Sequence, residues 1–282
     1  MTASILISQD LSCAGQVSMT VALPLLGALG GFRPTILPTA LLSTHTGGLG
    51  ANTYLDLSSE MTKIIAHWET LPPLSFSAIY LGYLGNKAVD VLLKERLRIG
   101  TAKSLWLIDP VMGDHGRLYR GFTAAYVTKM RKLAAHASLL TPNVTEAQLL
   151  LGQTCTSGTI SNAQAHSIVG ALKQKFTASA ILLTGVQLNN GQIGVFGSDA
   201  ISREIWELQR KKLPGSYFGT GDLFASILLA TLLKKKKLKT AATSAMDFVS
   251  ACIENAQTEK NRDSRFGLDY SQQLSVLLKQ LT

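Results

Sequence analysis

Residues 77–97 read SAIYLGYLGNKAVDVLLKERL. A short apolar run stops at Gly82-Tyr83, and an amphipathic helical pattern takes over at once. A continuous apolar run of strand length belongs to a strand covered on both faces, as in a parallel sheet flanked by helices. The unit recurs along the chain. SILIS (4–8) precedes an apolar helical pattern over 17–29, and LWLIDPVMGD (105–114) precedes one over Ala124–Ala134. SLLTPN (138–143) precedes VTEAQLLL, and ASAILLTGV (178–186) completes the set. GQIGVFGS and AISREIWEL then predict an antiparallel hairpin, and two or three helices close the chain, the last over Ser271–Leu281. No linker or internal repeat interrupts this series. The pattern predicts one α/β domain over 1–282, with a mostly parallel central sheet between helices and an antiparallel hairpin at its edge.

The bulk numbers fit that reading. The chain has 282 residues, 46% of them hydrophobic and 16% charged, which excludes a disordered chain and allows a large core. No stretch reaches the roughly 18 uncharged apolar residues of a membrane span. With no signal-peptide pattern at the N-terminus, a cytoplasmic protein is expected. Cys13, Cys155 and Cys252 lie far apart and read as reduced thiols. The net charge is +9, concentrated at Arg210–Lys212 and Lys234–Lys237. No aromatic residues interleave with the lysine run, and cations suit a helix C-terminus, so a solvated helix end is expected there and no nucleic-acid partner.

The apolar runs end in Gln9-Asp10, Gly82-Tyr83, Asp109-Pro110, Thr141-Pro142-Asn143 and Thr184-Gly185. Ligands of open α/β sheets bind beyond the carboxyl ends of the strands. That edge gathers Asp10, Asp109, Asp114, Asn143 and Glu146, a set suited to a cation or a phosphate. In TPNVTEAQLL, Asn143 and Glu146 have the spacing of a capping box. The alternative is a hydrated magnesium ion, which prefers a few carboxylates and keeps its waters. In DPVMGDHG, Asp109 and Asp114 flank a glycine, as a solvated turn or a cation shell; His115 reads as an exposed loop residue.

YFGTGDLFAS (217–226) bears on the reaction. Gly219 and Gly221 let backbone amides approach a ligand, and with the helix dipole those amides hold a phosphoryl group. Asp222 at the helix mouth can accept a proton from an attacking hydroxyl; it can also be only a cap. The chain has no GxxxxGK[ST], no GxGxxG after its first strand, no HExxH and no GxSxG, which excludes the corresponding nucleotide, zinc and lipase sites. Phosphoryl transfer is the better reading.

ALPLLGALG, LLSTHTGG, YLGYLGN, DPVMGDHGRLY, TPNVTEAQLLLG, ILLTGV and GTGDLFAS follow one another at the spacing of the vitamin B6 (pyridoxal) kinases. The chain resembles that family of the ribokinase-like superfamily over nearly its whole length. SQDLSCAGQVS resembles its pyridoxine/pyridoxamine kinase branch of Gram-positive bacteria. The resemblance implies a three-layer α/β/α sandwich that phosphorylates the hydroxymethyl group of pyridoxal, pyridoxine or pyridoxamine. It implies ATP as co-substrate, Mg2+ as cofactor, a monovalent cation such as K+, and a homodimer. Asp222 is similar to the general base, and Gly219, Thr220 and Gly221 to the anion hole. Asp109, Asp114, Thr141, Asn143 and Glu146 resemble the cation neighbourhood. The nucleotide set comprises Asp109, Tyr119, Asn143, Thr184, Gly185, Thr220 and Gly221. Thr46, with His45 beside it, resembles the contact to the pyridine hydroxyl, and Tyr83 a ring-packing residue. The family's serine at the ring aligns near Asp10, which leaves the ring contact open between Gln9, Asp10 and Ser12. The glycine-rich HTGGLGANTY suits a cover over the substrate. A hydroxymethylpyrimidine kinase on the same scaffold, or a binding protein without catalysis, are the alternatives; the second has no need of Asp222.

Overall fold

The structure, a computed structural model, describes residues 3–29, 31–200, 204–258 and 263–281. In chain order it begins β1 (Ala3–Ser8), β2 (Leu11–Ala14), α1 (Met19–Ala28), β3 (Phe32–Ile36), β4 (Ala40–Thr44), β5 (Tyr54–Asp56) and α2 (Ser58–Trp68). It continues through β6 (Ala78–Leu81), α3 (Gly85–Ile99), β7 (Leu105–Ile108), β8 (Gly113–Asp114), β9 (Arg117–Leu118), α4 (Ala124–Ala134), β10 (Leu139–Leu140), α5 (Val144–Leu151) and α6 (Asn162–Lys175). It closes with β11 (Ala180–Gln187), β12 (Gln192–Asp199), β13 (Trp206–Lys211), α7 (Thr220–Leu233), α8 (Leu238–Thr258), a 3-10 turn at Ser264–Phe266 and α9 (Ser271–Leu281).

Eight strands form the main sheet in the order β13-β12-β11-β10-β7-β6-β1-β3. From β11 to β3 all pairings are parallel; β12 and β13 add the antiparallel edge. The strands are short and apolar because both faces are covered: Ala78, Ile79, Tyr80 and Leu81 of β6 are all fully buried. On one face Ile79 and Leu81 pack with side chains of α2 to α6, and on the other Ala78 and Tyr80 pack with those of α1, α7 and α8. Helix α7 is buried from Leu223 to Thr231 because it lies between the sheet and α8. The expected three-layer α/β/α sandwich is present.

A second sheet, β2-β4-β5, covers the carboxyl edge of the first. Its strands β4 and β5 flank the stretch 45–54 expected to act as a cover, and β2 comes from the loop after β1. The sequence reading assigns no element to residues 30–76. There β3 contains Pro34, which an edge strand tolerates, and α2 buries only Met61 and Ile65.

Several bounds move for local reasons. The helix expected over 17–29 starts at Met19, because Ser18 holds a left-handed backbone (φ 48°). The strand expected over 105–114 divides at Pro110 into β7 and β8. Thr184-Gly185 does not end β11 but forms a bulge within it. The second hairpin strand begins at Trp206; residues 201–203 of the expected strand lie outside the described residues. Helix α7 ends at Leu233, so the lysine run occupies the turn into α8, with Lys235 left-handed (φ 60°).

Candidate active site

The chain leaves β1 toward β3, then crosses back over β1 to β6 and continues to β7. The connections therefore diverge between β1 and β6, and the crevice beyond their carboxyl ends is where this class of sheet takes its ligands. Two backbone hydrogen bonds tie its walls together: Gly82 N–H donates to Ser8 O (3.2 Å), and Asp10 N–H donates to Tyr83 O (3.1 Å). The N-terminus of α7 is docked into the same place. Ser18 N–H donates to Asp222 Oδ2 at 2.8 Å, joining segments 204 positions apart.

Gly219 caps α7 with a left-handed backbone (φ 79°), and a Cβ there would meet Gln16 O at 2.4 Å. Only glycine allows this approach. Gly221 is exposed, and Asp109 Oδ2 would lie 3.9 Å from a Cβ placed on it. Asp109 thus lies close to the first turn of α7, a helix mouth of the kind that favours an anion. Burial raises the Asp222 carboxyl to about 7; the Ser18 amide opposes the shift and the Asp10 charge adds to it.

This carries a pH prediction with two readouts. An unfolded aspartate titrates near about 3.9. Between about 4 and 7 the native chain holds a proton that the unfolded chain has lost. Stability from that proton is complete below about 4 and is lost as pH rises toward 7. The melting temperature of the wild type relative to Asp222→Asn should therefore fall across this window. Activity should rise over the same range, on a limb at or below about 7, because a base works only when deprotonated. A flat difference in melting temperature would contradict the burial of this carboxyl.

On the β1 side, Ser12 Oγ donates to Asp10 Oδ2 at 2.8 Å, and both residues are buried. Burial raises the Asp10 carboxyl, against hydrogen bonds from Ser18 and Ser12 that lower it. Gln9 is fully buried against Gly82, with neither amide atom partnered. His45 has both ring nitrogens committed: Nδ1 accepts from Gly47 N–H (3.2 Å), which leaves Nε2 to donate to Arg265 O (2.5 Å). Its ring also packs on Phe218, with centroids 4.5 Å apart. His45 thus holds the cover in place. Thr46 and Tyr83 line a cavity of about 220 Å³ together with Asn52, Tyr54, Arg120 and Phe122. Tyr83 packs on Phe122 at 5.2 Å, and Arg120 donates to Asn52 Oδ1 at 2.7 Å. Asn52, Tyr54, Arg120 and Ser18 were not singled out by the sequence; Asn52 and Tyr54 fall within HTGGLGANTY and Ser18 ends SQDLSCAGQVS, with no role of their own assigned there.

On the β7–β10 side, Asp109 and Glu146 are buried together. Glu146 Oε1 accepts from Met112 N–H (3.1 Å) and Oε2 from Asn143 N–H (2.9 Å). Asn143 Oδ1 accepts from Glu146 N–H (2.9 Å), and its Nδ2 donates to Gly113 O (2.9 Å). The capping box is therefore formed, and its glutamate also faces the acid cluster. Burial raises both carboxyls; next in size are the charge of Asp222 for Asp109 and the charge of Asp109 for Glu146. Burial also raises the Tyr119 phenol, and Glu146, Asp114, Asp109 and Asp222 add to it, which puts Tyr119 over the same cluster. Asp114 is exposed and accepts from His115 N–H (2.7 Å). Thr184 Oγ1 donates toward Pro142 O (3.3 Å), and Gly185 beside it is left-handed (φ 62°) and open.

Among the described residues no three His, Cys, Asp or Glu side chains form a metal cage. A hydrated magnesium ion does not need one. The buried Thr141 hydroxyl has no hydrogen-bond partner, and two crowded buried carboxyls stand near it, so the donor set fits a cation held partly through water. If Glu146 only caps α5, Glu146→Gln should leave the magnesium requirement alone. If its charge serves the cation, half-maximal rate should need several-fold more magnesium. Either way a small loss of stability is expected, since glutamine cannot accept from both Met112 and Asn143. An unchanged magnesium titration would leave Glu146 as a cap.

The family of phosphomethylpyrimidine kinases matches residues 35–265. A Bacteroides thetaiotaomicron protein named for that activity, solved with pyridoxal, superposes with a TM-score of 0.90 at 32% identity, over 99% of this chain and 96% of that one. Pyridoxal kinase from Lactobacillus plantarum superposes with a TM-score of 0.89 at 31% identity, over 99% and 98%. Arabidopsis thaliana pyridoxal kinase is 27% identical over 78% of this chain and 72% of its own. The chain is a kinase and belongs to the phosphomethylpyrimidine kinase family of the ribokinase-like superfamily, the group that includes the pyridoxal kinases.

Proposed function

We propose that the chain transfers the γ-phosphoryl group of ATP to the hydroxymethyl group of pyridoxal, pyridoxine or pyridoxamine. The observation that carries this reading is the position of Asp222. It is a partly buried carboxyl in the glycine-framed first turn of α7, bonded to the Ser18 amide, while the next amide, that of Met19, bonds to Asp10 O. Asp222 takes the proton of the acceptor hydroxyl. The freed oxygen bonds to the γ-phosphorus, the bond to the β-phosphate oxygen breaks, and ADP leaves. The amides of Gly219, Thr220 and Gly221 hold the phosphoryl oxygens in transit, a role with no reorganisation cost because the turn is already formed. Asp10 with Ser12, Thr46 and Tyr83 hold and orient the pyridine ring, and Gln9 floors the pocket. Thr184, Gly185, Asn143 and Tyr119 border the nucleotide. Magnesium, and a monovalent cation such as K+, would be held near Asp109, Glu146 and Thr141, with Asp114 at the rim, and would offset phosphate charge. A cytoplasmic homodimer is the assembly expected of such an enzyme.

The test is kcat/KM for pyridoxal, pyridoxine, pyridoxamine and hydroxymethylpyrimidine under one set of conditions. A B6 vitamer should lead. A tenfold lead for hydroxymethylpyrimidine, about 1.4 kcal/mol of transition-state preference, would establish the second reading, a hydroxymethylpyrimidine kinase. The name of the matching family favours that reading. The aromatic cavity of Tyr54, Tyr83 and Phe122 beside Arg120 supports the first, because an acidic pyridine hydroxyl suits a nearby guanidinium.

A further inference from the structure

Ser18 holds the most restricted backbone of the site. Its dihedrals are φ 48° and ψ −125°, a region comfortable for glycine and strained for any residue with a Cβ. His115 and Lys235 are the other non-glycine residues with positive φ among those described, in the turn between β8 and β9 and the turn between α7 and α8. Ser18 is buried at the head of α1, where its carbonyl accepts from the amides of Val21 and Ala22. Its amide donates to Asp222 Oδ2 at 2.8 Å. The next amide, Met19 N–H, donates to Asp10 O at 3.2 Å, and the Ser18 side chain lies beside the Asp10 carboxylate. Glycine would supply the same amide, the same carbonyl and the same turn at lower conformational cost. The hydroxyl beside Asp10 is what it would not supply.

We propose that Ser18 is a positioning residue that ties Asp10, in the acceptor pocket, to Asp222: its amide fixes the base and its side chain fixes Asp10. A ring seated on Asp10 thereby steadies the peptide that aims the Asp222 carboxylate. This rests on Asp222 being the base, so Asp222→Asn is measured in the same series.

The variants are Ser18→Gly and Ser18→Ala, alone and each with Asp10→Ala. Ser18→Gly relieves the strain and should melt no lower than the wild type. Ser18→Ala keeps the strain and should melt within about 2 °C of it. Both should lose about tenfold in kcat/KM for pyridoxal, with KM for ATP unchanged. Pyridoxal affinity, titrated by absorbance so that slow variants still score, should weaken in both single variants. In the Asp10→Ala background the same substitutions should weaken it less than twofold, because the tie has lost its partner. Wild-type kcat/KM in Ser18→Gly and Ser18→Ala overturns the proposal, as does an equal loss of affinity with and without Asp10. A large drop in melting temperature for Ser18→Gly also overturns it, since the side chain would then serve folding. If Asp222→Asn is inactive and these outcomes occur, Ser18 alone is misassigned. If Asp222→Asn stays within about threefold of wild type, well short of what a general base contributes, the base assignment falls and this proposal falls with it.

Discussion

Asp222→Asn should fold as the wild type does, bind ATP, and lose between about 10² and 10⁴ of its turnover, the range a positioned general base contributes. Asparagine matches aspartate in size. Its Oδ1 can still accept the Ser18 amide now bound at 2.8 Å, and the left-handed cap at Gly219 is untouched. Asparagine also serves helix N-termini as well as aspartate does. What it lacks is a site for the hydroxyl proton. The loss should fall on kcat and kcat/KM alike, because proton acceptance develops only in the transition state. Steady-state kinetics with pyridoxal, paired with thermal melts with and without ATP, measure both sides. A variant that melts normally and turns over within about threefold of wild type would leave Asp222 only its tie to the Ser18 amide, since Gly219 and not Asp222 caps α7.

Two glycines of the same loop should fail in different ways. Gly219→Ala places a Cβ 2.4 Å from Gln16 O, on a residue whose φ of 79° already excludes most side chains. The obstacle is backbone, so it cannot swing aside. A cost of about 3 kcal/mol or more is expected, by analogy with overpacked cores and strained dihedrals, and would lower the melting temperature by roughly 5 °C or more. Turnover should fall by more than about 100-fold, the scale of losing an oxyanion donor, as the amides move off their line. Gly221→Ala meets nothing closer than Asp109 Oδ2 at 3.9 Å, which is ordinary contact, and its φ is not positive. That variant should melt like the wild type and still lose most of its turnover, because the new methyl group occupies the space proposed for the phosphoryl group. Activity in Gly221→Ala would show that the anion seat lies elsewhere.

The main sheet was legible because burial on both faces leaves a mark that needs no context. In β6 the residues Ala78 to Leu81 are all apolar because none touches water. The small sheet left no such mark. Tyr54 and Leu55 of β5 are exposed, Cys13 of β2 is exposed, and the buried residue of β2, Ser12, is polar. Within the site, GTGD was legible because two glycines at a helix mouth constrain the backbone in few other ways. Asn143 and Glu146 were legible as a pair, though both roles weighed then are compatible with the geometry found. Ser18 was not, since its contact to Asp222 is made by a peptide amide that any residue carries. Arg120 and Asn52 meet only through the fold, and His45 could not be seen to spend its ring on Gly47 and Arg265 until the chain's two ends were brought together.

One carbonyl, that of Gln16, is pinched between two glycines: a Cβ on Gly219 or on Gly267 would each stand 2.4 Å from it. Gln16 N–H in turn donates to Phe266 O at 2.8 Å, and Arg265 O takes the His45 proton at 2.5 Å. The loop after β2, the mouth of α7 and the turn at Ser264–Phe266 thus close on one another. All strands of the main sheet lie before residue 212, while Asp222 and this closing turn come after it. During synthesis on the ribosome every strand of the main sheet is therefore made before Asp222. The turn at Ser264–Phe266, which holds the loop after β2, is made later still. A product cut short after β13 lacks α7 and α8, which cover one face of that sheet, as well as Asp222, so truncation removes the packing and the carboxyl together.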